Sequence, residues 1–76
     1  MIHTPASEGA RLLELALSGK TDRQAEGELG FAGGQISRFR SGRRTPEYTS
    51  RVVLLDAYRI PMDAWDRAPD AIKNAG

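Results

Sequence analysis

The feature that most narrows what this chain can fold into is the run Thr21 to Pro46, TDRQAEGELGFAGGQISRFRSGRRTP. It holds two short stretches of helical pattern, a glycine-rich turn between them and a basic loop after them. No segment of the 76 residues alternates polar and apolar at period two for long enough to make a convincing strand. No hairpin dipeptide sits between alternating runs either. The expectation is an all-α fold, a compact bundle of about five short helices joined by loops of a few residues.

The rest of the chain supplies the packing around that run. Thr4-Pro5 is expected to cap and open a first helix, because proline lacks an N–H that would be unpaired there. Leu12, Leu13, Ala16 and Leu17 form its buried stripe, and Ser18-Gly19 ends it. Thr21 caps the second helix, with Gln24 at the reciprocal position of a capping box and Asp22 adding favourable charge in the first turn. Ala25 and Leu29 face inward, and Gly30 stops the helix. Gly27 inside it weakens it by about 1 kcal/mol relative to alanine.

The third helix runs from Gly33 or Gly34 to Arg40. Ile36 and Phe39 share its inner face, and Gln35, Ser37, Arg38 and part of Arg40 turn to solvent. Phe31 in the turn is a third anchor, so Leu29, Gly30, Phe31, Ile36 and Phe39 support this helix. Its N-terminus looks poorly capped. Thr45-Pro46 is the strongest cap signal and opens a helix with Val52, Val53, Leu55 and Tyr58 inside. Ile60-Pro61 breaks it, and a last short helix from about Pro61 to Arg67 supplies Trp65. Residues at about 1–4 and 68–76 read as loose ends.

Size and charge bound the function. The length fits one domain, residues 1–76, with a small core. Cysteine is absent, which excludes disulfides and thiolate metal sites, and the single histidine is His3. No leader pattern opens the chain and no apolar run approaches membrane-spanning length, so a cytoplasmic protein is expected. Net charge is only +1, but residues 35–46 hold Arg38, Arg40, Arg43 and Arg44 and no acid. Such a patch is either a solvated loop or the footprint of a polyanion, and its coincidence with the free helix face favours the second.

On that reading the residues divide by reach. Gln35 can pair with adenine at N6 and N7, Arg38 with guanine at O6 and N7, and Ser37 with a base or a phosphate. Arg40, Arg43 and Arg44 suit the phosphate backbone, and Thr21 and Arg23 suit the opposite phosphate row. Gly33 and Gly34 are either plain turn residues or a place where a phosphate approaches the helix end. Arg40 has a second reading as the partner of Glu47, and Ser37 as a local cap. An enzyme is not expected, nor a cofactor: the chain has no phosphate loop, and its acids are scattered on a molecule too small for a deep pocket.

Leu29-Gly30-Phe31, followed by Gln35-Ile36-Ser37-Arg38-Phe39 and Ser41-Gly42, resembles the helix-turn-helix of the Cro/C1-type repressors, the XRE family. It is also similar to the DNA-binding segment of the lambda phage CII activator, which reads QISRW at the corresponding place. The resemblance covers roughly Leu12 to Trp65. It implies a lambda repressor-like domain, a transcriptional regulator of phage or prophage type, nucleoid-associated, that binds a palindromic operator in double-stranded DNA as a homodimer. A protein-interaction module on the same fold, antitoxin-like or an adaptor with a protein partner, is the alternative.

The chain departs from the family's pattern in two places. Ala25 and Glu26 stand where the family prefers leucine and then alanine, and Glu26 would crowd the next helix unless its carboxylate turns outward. Gly33 and Gly34 replace side chains that often read bases. A dimer surface is placed at Tyr58, Met62 and Trp65, with Ile60 and Ile72 nearby; the competing reading is that Trp65 and Met62 close the core.

Overall fold

The computed structural model describes residues 5–69. All regular structure among them is helical: α1 (Glu8–Ala16), α2 (Asp22–Leu29), α3 (Gln35–Ser41), α4 (Tyr48–Tyr58) and a 3₁₀ turn, Met62–Asp66. The last of the five expected helices is thus a single 3₁₀ segment. α1 packs on the 3₁₀ turn and on α3, α2 packs on α3, and α4 packs on the 3₁₀ turn. Ala10, Leu13, Leu17, Ala25, Ile36, Phe39, Leu54, Ile60, Ala64 and Trp65 form the core between them.

α1 begins three residues later than the Thr4-Pro5 signal suggests. Ser7 is its cap, with the hydroxyl oxygen accepting the Ala10 N–H at 3.1 Å. Ala6 is held against Gly42, where a β-carbon would overlap its methyl group. Thr4, and with it the looseness expected at 1–4, lies outside the described residues. Leu13 and Leu17 are buried, and Leu12 is packed against the core.

Gly9 has a different task. A β-carbon there would run into the indole of Trp65, so the glycine lets the ring lie directly on the α1 backbone. Phe39 meets the same ring edge-on at 6.3 Å between centroids, and Phe31 meets Phe39 at 5.7 Å. One aromatic chain therefore links the turn before α3 to the 3₁₀ segment.

Trp65 and Ile60 consequently belong to the core, not to an outer dimer surface: they are 6% and 1% exposed. Tyr58 and Met62 are half-buried. Ile72 lies outside the described residues, as do all of 70–76; within the expected tail, Pro69 is buried.

α2 follows its sequence signals closely. The Thr21 hydroxyl accepts the Gln24 N–H at 3.1 Å, and the Gln24 side-chain oxygen accepts the Thr21 N–H at 2.9 Å. Gly30 closes the helix at φ +77, a conformation that glycine adopts without steric cost.

α4 departs from them. It starts at Tyr48 with Glu47 as an unbonded cap, and Pro46 is fully buried instead of opening the helix. The inner face is Ser50 and Leu54, with Val52 and Leu55 exposed and Val53 half-buried. Arg51 anchors one flank of that face. Its Nε donates to the Pro46 carbonyl at 2.8 Å, Nη1 donates to the Met62 carbonyl at 3.0 Å, and both Nη atoms grip Asp66. That bidentate contact raises the Arg51 pKa and holds the Asp66 carboxyl below the usual carboxylate range. With Arg51 tied on one flank, Leu54 is the member of the Val52–Leu55 run that points inward. Arg59 then takes φ +60, which turns Ile60 back into the core.

Candidate nucleic-acid interface

α3 is seven residues long, too short to persist without neighbours. Its start is secured from across the turn. Glu26, buried at 8% exposure, turns its carboxylate inward, and Oε2 accepts the N–H of Gly34 at 2.9 Å and of Ile36 at 3.2 Å. The backbone carbonyl of the same residue accepts the N–H groups of Gly30 and Phe31, closing α2. Glu26 thus neither crowds α3 nor turns outward: two otherwise unpaired amides draw its carboxylate in.

This cap also corrects the reading of the glycines. The Gly34 amide is already bonded to a carboxylate, so it is not open to a phosphate. Gly34 sits at φ +87 as the backbone cap of α3, and Gly33 is exposed in the turn. A β-carbon on Gly34 would only touch the Arg38 guanidinium, 3.7 Å away, so the left-handed backbone and not lack of space is what calls for glycine there.

The outer face of α3 presents Ser37 and Arg38, both exposed. Gly42, at φ +82, reverses the chain so that the Arg44 N–H reaches the Arg38 carbonyl at 3.3 Å. Arg43 and Arg44 are thereby held beside Arg38. None of these three takes part in an ion pair among the described residues. Gly34, Ser37, Arg38, Ser41 and Arg43 line an open cleft of about 410 Å³ that contains no acid.

The opposite flank differs. Glu14, Ser37, Arg40 and Ser41 line a second cleft, and there Arg40 is engaged: its Nη2 meets Asp22 Oδ2 at 3.0 Å. Arg40 thus ties α3 to α2 and does not pair with Glu47. An approaching phosphate would have to compete with Asp22 for it, with Glu14 close by. The surface of α3 is electrostatically lopsided, and its Arg38–Arg43 side is the one suited to a polyanion.

Gln35 is half-buried, and its Oε1 accepts the Ala32 N–H at 3.1 Å. A bidentate pair with adenine would cost that bond, so as it stands only the amide NH₂ is available. Thr21 and Arg23 are exposed at the start of α2; the Thr21 N–H is consumed by the capping box, whereas Arg23 has no ion-pair partner among the described residues. Sequence reasoning missed Glu26 as a cap and Asp22 as the partner of Arg40. The signal for the first was an acid at an inward helix position, which demands a donor.

Comparison with known proteins gives no match: no family model, curated protein or solved structure is significantly similar to this chain.

Proposed function

We propose that this chain is a sequence-specific double-stranded DNA-binding protein, a small transcriptional regulator of Cro/C1 type, with α2, the turn and α3 as its helix-turn-helix. The observation that carries the reading is the acid-free cleft that Arg38 and Arg43 line beside the exposed face of a capped helix, with Arg44 exposed and tied to Arg38 through the backbone. α3 enters the major groove, Arg38 reads guanine, and Ser37 lies within reach of a base or the backbone. Arg43, Arg44 and Arg23 neutralise phosphates. Gln35 contributes through its NH₂ alone or exchanges its bond to Ala32 for a base. Arg40 and the glycines hold α3 in place.

Selection of bound duplexes from a random library, followed by salt-titrated binding, tests this. Arg38→Ala is expected to cost about 1–3 kcal/mol on the selected site and less on random DNA, whereas Arg43→Ala weakens both alike and reduces the salt slope by about 1. Affinity that survives high salt and the loss of Arg38 would move the reading to a protein-interaction module.

A further inference from the structure

Ser37 and Ser41, one helical turn apart on α3, lie between two arginine clefts. One is the acid-free cleft of Arg38 and Arg43. The other, about 270 Å³, is lined by Glu14, Ser37, Arg40 and Ser41. It offers the same two hydroxyls and a guanidinium, which are the groups a phosphate binds. What sets it apart is an anion supplied by the chain itself. Asp22 Oδ2 accepts a hydrogen bond from Arg40 Nη2 at 3.0 Å, and Glu14 adds a second acid to the cleft.

The pair is open to competition. The Asp22 side chain is 24% exposed and that of Arg40 39%, so another anion can reach them. Arg40 commits a single nitrogen to Asp22 and makes no other side-chain hydrogen bond among the described residues. Asp22 stands in the first turn of α2, where the helix dipole favours a negative charge independently of Arg40.

We propose that Arg40 is a withheld phosphate-binding residue, with the Asp22 carboxylate in the place that a phosphodiester oxygen would take. α3 then grips a nucleic-acid backbone through the Arg38–Arg43 flank alone. Sequence-independent affinity is held down, while Arg38 stays free to read a base. The proposal rests on the DNA-binding reading for its natural ligand, but the withholding applies to any polyphosphate.

NMR of the arginine Nε–H groups, followed as the full chain is titrated with inorganic polyphosphate, is the first test. Polyphosphate has no bases to read. The Arg38 and Arg43 signals should move to saturation while that of Arg40 stays in place. In Asp22→Asn, Arg40 should move together with the other two.

Salt-titrated binding to a random-sequence duplex is the second. Asp22→Asn should bind about three- to tenfold tighter, with a salt slope steeper by about 1. Asp56→Asn removes the same charge from an exposed position on α4 and should change affinity less than about twofold. In an Arg40→Gln background the gain from Asp22→Asn should shrink to about twofold or less. Loss of fold lowers binding, so it does not imitate the gain.

An Arg40 signal that moves with Arg38 and Arg43 in the wild type overturns the proposal, whether or not Asp22→Asn folds. So does a chain whose arginines ignore polyphosphate altogether. A gain from Asp22→Asn no larger than that from Asp56→Asn, or one that survives intact without Arg40, overturns it too. Binding to polyphosphate in the expected way, but to no duplex, defeats only the function proposed above. Sequence-selective duplex binding with an indifferent Asp22→Asn defeats only this inference.

Discussion

Alanine in place of Gly9 would drive a methyl group into the Trp65 indole. From local propensity alone, the exchange in a helix should stabilise by about 1 kcal/mol. Packing reverses the sign: overfilling a close-packed site costs about 1–3 kcal/mol, so Gly9→Ala is expected to lower the urea midpoint. An unchanged or higher midpoint would mean that the ring can step aside. The same tension between local and distant causes runs through the candidate site. Arg38, Arg43 and Arg44 are legible as a patch because an acid-free basic run needs no partner to be noticed. Arg40 looks identical in the sequence, yet Asp22, eighteen residues earlier, engages it.

The helices divide along the same line. α2 could be read almost completely, since its start is fixed by Thr21 and Gln24 and its end by Gly30, all within the element or adjoining it. The face of α4 could not, because Val52, Val53, Leu54 and Leu55 are consecutive and any of them satisfies a helical period. The structure puts Leu54 in the core, with Arg51 on the adjoining flank bonded to Pro46, Met62 and Asp66, partners that lie outside the helix. Leu54→Ala should therefore cost about 2–5 kcal/mol in chemical denaturation, as full truncations in a core do. Leu55→Ala should cost under about 1 kcal/mol. Equal losses at the two positions would show the assigned face of α4 to be rotated.

For the molecule as a whole, closure depends on the 3₁₀ turn meeting both α1 and α4, and the Arg51–Asp66 pair fastens the second of these contacts. Asp66 is held below its ordinary pKa chiefly by the hydrogen bonds from Arg51, against a smaller desolvation effect. A depressed carboxylate contributes stability above its unfolded pKa and loses it as pH falls through the folded value. The contribution should be complete at neutral pH and decline below about pH 4. Thermal unfolding of the wild type and Asp66→Asn across that range checks it. The gap between the two should narrow in acid, and a constant gap would remove the ion pair as its cause.

Glu26 has a consequence for how the protein opens. Its carbonyl closes α2 and its carboxylate begins α3, so neither helix can loosen at the turn without disturbing the other. The two form one cooperative unit, and the amide protons of Gly34 and Ile36 become exchangeable only when that unit parts. A helix of seven residues thereby acquires the persistence of a longer one, and its outer face meets whatever it binds already in its final shape.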